Sequence, residues 1–444
     1  MIAPLAYSQL AHWNLYKLEH APSACILPSV TRIAGPLNIG ALRRCFSAIV
    51  ARHDALRTRI AIYDGVPVQE VEDQRDLTDL VKLEDWSLIS EDKQRSEISR
   101  LLEAPDVVDV TRDPLFTVRL ARLSPEQHIL ITMMEHIVSD GLSISILLDE
   151  LLTGYRQIAH GLDISLPAIP LQFSEYALLQ RASTAAWLRE NGQYLTEHFA
   201  GCDRVRFPDD RRSAAESEGW GVAPFKISNR IKSELAAWCR SRKTTLVMGT
   251  LTAYVSLLLR WCSTRDTVVL FQSDGRSSRD VGNAIGYFAF PLYLRIQLCK
   301  NHTLLDVLHA VMQEYCAAYD HADFSYMESL STRPGFTRNS CFNWLRQQEV
   351  TEHQGLAPKQ GGSTEPVLFI REALETTLLK HISRDTEPMM GFIEGPHDIT
   401  GGIYFPRNRF SVASMERFAR NFFVFLAALR EEPWKRAADI ALVD

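Results

Sequence analysis

The run "HILITMMEHIV", His128 to Val138, constrains the fold more than any other stretch of this chain. From Ile129 to Val138 it is almost continuously apolar, the mark of a strand covered on both faces. Ahead of it, Phe116, Val118 and Leu120 alternate with Thr117, Arg119 and Ala121, and "SPEQ" has turn composition. The two runs read as a hairpin. Behind it, "LSISILLDELLTGYRQI" reads as a helix that turns Ile146, Leu147, Leu151 and Tyr155 to a core. Strands with helices laid over them give a mixed α/β sandwich.

The chain has 444 residues, too many for one ordinary core, so two lobes are expected. "LNIGALRRCFSAIVARHDALRTRI" reads as an amphipathic helix with Leu42, Cys45, Phe46, Ile49 and Val50 at helical spacing and Asn38 as its cap. "SEDKQRSEISRLLEAP" is a charged helix. Residues 161–172, "GLDISLPAIPLQ", carry two prolines and break the periodicity, which places the seam there: residues 1–170 form one lobe and 171–444 the other. The second half repeats the ingredients. "TTLVMGTLTAYVSLLLRWC" is a helix, "DTVVLFQSDGR" and "FPLYLRIQL" are strands, and "HTLLDVLHAVMQEYCAAYDHADF" is a helix. Val350 to Pro366 reads as a long polar loop and "GGIYFPRNRFSV" as a last strand. The closing helix carries Met415, Phe418, Phe422, Phe425 and Leu429 as its buried stripe.

A net charge of −6 leaves no electrostatic footprint for nucleic acid. The eight cysteines are scattered without Cys-x-x-Cys spacing, which argues against a zinc or redox site. No basic stretch followed by an apolar core opens the chain, and no apolar run approaches the roughly 18 residues that span a bilayer. The expectation is a reduced, cytoplasmic, monomeric protein with no membrane partner. "MMEHIVSDGLSIS" then poses the functional question, because it sets a histidine four residues ahead of an Asp-Gly pair where the apolar run breaks. Glu135, His136 and Asp140 lack a second histidine at ligand spacing, so no metal is expected there.

Several segments, in order along nearly the whole chain, resemble the condensation domains of nonribosomal peptide synthetases. "AYSQLAHWNL" (Ala6 to Leu15) is similar to the opening motif of that family, and "RHDALRTRI" (Arg52 to Ile60) to the second. "MEHIVSDGLS" (Met134 to Ser143) resembles the active-site motif HHxxxDG, with Glu135 in place of the first histidine. "FSEYALL", "IGYFAFPLYLR" (Ile285 to Arg295) and "HADFSYM" (His321 to Met327) resemble the motifs that follow. An HxxxDG alone matches many unrelated turns. The ordered set is specific. The chain ends where that family's domain ends, which makes it resemble a free-standing condensation enzyme.

The resemblance implies two chloramphenicol-acetyltransferase-like lobes set as a V, with a central tunnel and crossover segments from the second lobe. It implies acyl transfer from a 4'-phosphopantetheine thioester on an acyl or peptidyl carrier protein to an amine or hydroxyl acceptor. The phosphopantetheine arrives with the partner, and no resident cofactor is expected. The product is an amide or ester in nonribosomal peptide or hybrid polyketide biosynthesis.

His136 is the expected catalytic residue, since an imidazole of pKa about 6.5 takes and gives protons near working pH. Gly141 is expected to let the thioester approach, having no Cβ. The helix beginning near Leu142 would offer N–H groups to an oxyanion. In the family the matching aspartate pairs with an arginine and holds the loop. Asp140 with Arg295 is the expected pair here. Glu135 is expected to be structural and, by strand alternation, to point away from His136. His53 and His321 are expected to pack, and the "SDGR" at Ser273 to Arg276 to be a turn. Two other functions fit the same motifs: a catalytically silent docking domain, suggested by Glu135, and a coenzyme-A-dependent acyltransferase of the same fold. Epimerisation lacks a further acid–base pair.

Overall fold

A computed structural model of the protein describes residues 1–19, 26–73, 80–103, 108–202, 205–210, 219–276, 278–298, 301–321, 339–346, 368–371 and 386–444. The chain divides into two compact units. The first holds residues Met1–Ser183 and takes back the segment Asp274–Ala289; the second holds most of the remainder. The division thus comes after the proline-bearing stretch at 161–172, inside a helix.

In chain order the first unit contains β1 (Ile2–Pro4), α1 (Tyr7–Glu19), β2 (Ile26–Ala34), α2 (Ile39–Arg52), β3 (Thr58–Tyr63) and β4 (Val66–Val71). These are followed by β5 (Val81–Asp85), α3 (Glu91–Glu103), β6 (Phe116–Ser124), β7 (Gln127–Glu135), α4 (Gly141–Ala159) and the start of α5 (Phe173–His198). The helix predicted from Asn38 onward stops at Arg52. His53 is extended, with φ −104° and ψ 118°, and Thr58–Tyr63 pairs as a strand with β4.

The expected hairpin is present. β6 and β7 pair antiparallel from Phe116↔Met134 onward, and β2 pairs with the other edge of β7 from Ile26↔Glu135. β7 is buried on both faces, as its composition demands. Leu130 and Met134 face a core with Phe46, Ile49, Leu147 and Leu151 from α2 and α4. Ile129, Ile131 and Met133 face another with Ile98 and Leu101 from α3. Burying each such side chain stabilises the fold by about 1.5–3 kcal/mol.

The second unit contains β8 (Trp220–Ile227), α6 (Asn229–Ser241), α7 (Leu246–Trp261), β9 (Asp266–Ser273), β10 (Phe290–Gln297), α8 (Leu304–Asp320) and β11 (Cys341–Arg346). β12 (Leu368–Arg371) belongs to the first unit, where it pairs with β2, and the second unit continues with β13 (Met389–Glu394), β14 (Ile399–Pro406) and α9 (Val412–Glu431). Its sheet has the order β10-β9-β11-β13-β14-β8. The apolar stripes of α7 and α9, including Leu251, Tyr254, Phe418, Phe422 and Leu429, pack into one core with it. Thr303 and Asp306 cap α8 reciprocally, side chain to backbone in both directions. The polar stretch from Val350 to Pro366 lies outside the described residues.

Candidate active site

β7 ends at Glu135, three residues earlier than its apolar composition suggests, and His136–Val138 form a single 3-10 turn. Polar groups at the junction account for this. The Glu135 carboxylate accepts from the Ile137 N–H, the Ser139 hydroxyl donates to the Glu135 carbonyl at 2.9 Å, and Gln9 Nε2 from α1 donates to the Ile137 carbonyl at 3.0 Å. A turn with its own cap replaces the ladder, so the alternation expected to send Glu135 away from His136 no longer holds. Glu135 lies beside the same cluster: its Oε1 is 3.2 Å from His12 Nε2, and the His12 ring centroid is 6.0 Å from that of His136.

The turn also fixes the chemistry of His136. Nδ1 is 2.8 Å from the Ser139 carbonyl, which can only accept. Nδ1 therefore carries the hydrogen, and the neutral ring presents Nε2 as a lone pair. Among the described residues Nε2 has no hydrogen-bond partner, and the residue keeps part of its surface accessible. The Tyr287 ring lies alongside, 4.3 Å between centroids. Burial holds the imidazole below its usual pKa, His12 lowers it further, and Glu135, the residue's own backbone and Asp140 pull the other way.

Asp140 caps α4 and has no lone pair to spare for chemistry. Oδ1 accepts from the Ser143 N–H and hydroxyl, both at 2.8 Å, and from Arg276 Nη2 at 3.2 Å. Oδ2 accepts from Arg276 Nη1 at 3.2 Å and from the Phe288 and Ala289 N–H groups at 3.1 and 3.3 Å. Gly141 follows as the first residue of α4. Because the cap uses the Ser143 N–H, only the N–H groups before it are left for the oxyanion role expected of this helix end.

The arginine expected to hold Asp140 is a different one. Arg295 belongs to the second unit, where it pairs with Asp266 at 2.6 Å and donates to the carbonyls of His198 and Ala200. Arg276, read from sequence as part of a turn, is the partner. Its guanidinium also donates to the Ala284 carbonyl at 3.0 Å and lies 4.2 Å from the Phe288 ring centroid. The "SDGR" segment is thus a way of returning a cation to the first unit.

The remaining motifs form the scaffold. His53 is fully buried; its Nε2 donates to Glu150 on α4 at 2.8 Å and its Nδ1 accepts from the Ile285 N–H at 3.2 Å. Arg52 donates to the other Glu150 oxygen at 2.9 Å. Asp54 accepts from the Ser174 N–H at 2.9 Å, which ties the second motif to the start of "FSEYALL". A Cβ on Gly286 would lie 2.4 Å from Phe173, so only glycine fits the backbone there. His321 donates to Asn191 at 2.8 Å and stacks on Tyr194; residues 322–327 of its motif lie outside the described residues. Among the described residues no group of three or more His, Cys, Asp or Glu could hold a metal ion, and no helix is long and apolar enough to cross a membrane.

The family description "Condensation domain" matches residues 1–444. The chain belongs to the condensation domain family. It is 27% identical over 446 aligned residues to tyrocidine synthase 3 of Brevibacillus parabrevis, covering 99% of this chain and 6% of that protein. It is 26% identical to the bassianolide nonribosomal cyclodepsipeptide synthetase of Beauveria bassiana, again over 99% of the chain but 14% of the relative. This condensation domain therefore spans a small fraction of the length of the curated relatives it matches. Among solved structures it superposes on the X-domain from teicoplanin biosynthesis with a TM-score of 0.81 at 20% identity, covering 99% of this chain and 97% of that one. With the first condensation domain of the calcium-dependent antibiotic synthetase the TM-score is 0.79 at 17% identity, covering both chains fully. The α/β architecture is the chloramphenicol-acetyltransferase-like one of these neighbours. As a family, condensation domains form amide or ester bonds.

Proposed function

We propose that this condensation domain transfers an acyl group from a carrier-protein phosphopantetheine thioester to an amine or hydroxyl, with His136 as the group that takes or orients the proton of the nucleophile. The observation that carries the reading is the fixed tautomer: Nδ1 is committed to the Ser139 carbonyl, and Nε2 is an unpartnered lone pair among the described residues. In the forward step the acceptor nitrogen or oxygen attacks the thioester carbon, its proton passes to Nε2, and the collapsing intermediate expels the phosphopantetheine thiolate, which recovers the proton. Gly141 and the first N–H groups of α4 would lie toward the developing oxyanion. Proton transfer of this kind contributes about 10²–10⁴ in rate.

The test offers an acyl-loaded carrier protein and a panel of free amines and alcohols to the wild type and to His136→Ala. Product from the wild type, a loss of roughly 10²-fold or more in the variant, and unchanged folding by circular dichroism are expected. The neutral ring is the active form and its pKa is held low, so the acid limb of kcat/KM should fall below about pH 6.5. Equal turnover by the two proteins would remove His136 from the mechanism. A second reading, recruitment of a partner enzyme to a carrier, is favoured by Glu135 at the position of the motif's first histidine. It predicts carrier binding with no product from any acceptor.

A further inference from the structure

The residue that replaces the motif's first histidine has acquired a histidine of its own. Glu135, 2% exposed, holds His12 from α1 through Oε1, while its carboxylate also accepts the Ile137 N–H that begins the turn carrying His136. One side chain thus joins a buried ion-pair partner to the backbone of the catalytic turn. Three rings close the group: His12 and His136 are 6.0 Å apart between centroids, His12 and Tyr287 6.1 Å, His136 and Tyr287 4.3 Å.

We propose that Glu135 and His12 act as a buried positioning pair that shapes the turn under His136 and sets, in opposite directions, how tightly its ring holds a proton. The proposal rests on the reading of His136 as the proton-handling group and adds two positioning residues to it. When His136 becomes an imidazolium, the charged groups around it decide the cost. Asp140 answers less than Glu135, because Arg276 pairs with it and four further hydrogen bonds, from the Ser143 N–H and hydroxyl and the Phe288 and Ala289 N–H groups, occupy its oxygens. Glu135 is the carboxylate that responds more, and its reach is governed by whether His12 is charged. The titratable groups facing the ring are His12 from α1, Glu135 at the end of β7, Asp140 before α4 with Arg276 upon it, and Tyr287. Tyr16 on α1 also feels Glu135, although its hydroxyl is directed to Asp109.

The experiment is a substrate-free NMR titration of the His136 ring signal, assigned by its disappearance in His136→Ala, in wild type, Glu135→Gln and His12→Gln. Glu135→Gln should lower the midpoint by about one pH unit, and His12→Gln should raise it by less. Glu135→Asp, which keeps the charge, should restore the wild-type midpoint. Shifts in the same direction, or none, would overturn the proposal, since a purely structural pair has no reason to move the titration in opposite senses. If Glu135→Gln fails to fold, His12→Gln decides alone: a midpoint that does not rise overturns it. Because no acyl donor is needed, failure here is separable from failure of the transfer assay.

Discussion

Two aspartate–arginine pairs, one in each unit, look alike in sequence and differ in kind. Asp140 and Arg276 are both nearly inaccessible, with side-chain exposures of 2% and 3%, and backbone N–H groups and a hydroxyl complete the carboxylate's shell. Asp266 and Arg295 form a shorter contact, 2.6 Å, yet Asp266 is 36% exposed and Gln297 is its other side-chain donor. Distance alone would rank the second pair higher. Burial reverses that order, because a charge stripped of its partner in the interior has no water to turn to.

The contrast can be broken by mutation. Asp140→Ala, which strands Arg276, should destabilise the fold by about 3–5 kcal/mol, read from urea unfolding of the intact chain. A double-mutant cycle of Asp140→Ala with Arg276→Ala should give a coupling of about 1–3 kcal/mol, whereas Asp140→Ala with Arg295→Ala should be additive within about 0.5 kcal/mol. Strong coupling in the second cycle would reinstate Arg295 as the partner of the motif aspartate. Arg295→Ala alone should cost about 1–2 kcal/mol, less than Asp140→Ala, because its partner remains hydrated.

The smallest effect concerns pH. Burial tends to raise the pKa of Asp266, but the hydrogen bonds from Arg295 and Gln297 outweigh it and leave the group below its usual value. A carboxylate held low in the folded state adds stability above its unfolded pKa, and that stability fades as pH falls through the folded value. Stability should therefore decline on acidification below about pH 4 less steeply in Arg295→Ala than in the wild type. An identical slope would show that the pair contributes nothing to acid lability.

Much of the fold was legible because it is local. The β6–β7 hairpin follows from alternation and turn composition, and the stripe Met415, Phe418, Phe422, Phe425, Leu429 of α9 follows from helical spacing. His136 was legible through its motif. Its surroundings were not, since they depend on partners brought together by the fold. Arg276 lies 136 positions from Asp140, and nothing in "SDGR" distinguishes a returning cation from a solvated turn. The early end of β7 was hidden for a similar reason: it is set by Gln9 and by the Glu135 side chain folding back on its own backbone, while the apolar pattern runs on to Val138. His12 was invisible as a site residue because its neighbour in space, Glu135, reads as a mere departure from a pattern.

The contact between Gly286 and Phe173 has a consequence for anyone diversifying this protein. A methyl at 286 would occupy the space of the phenyl ring, so the two positions can change only in lockstep, the one growing as the other shrinks. Trimming Phe173 would propagate, because its ring meets Phe288 edge-on at 4.9 Å, and Phe288 in turn supports the guanidinium of Arg276. A randomised library confined to residues 284–289 would therefore find position 286 frozen, and would mistake a steric debt owed to a distant phenylalanine for a demand of the chemistry.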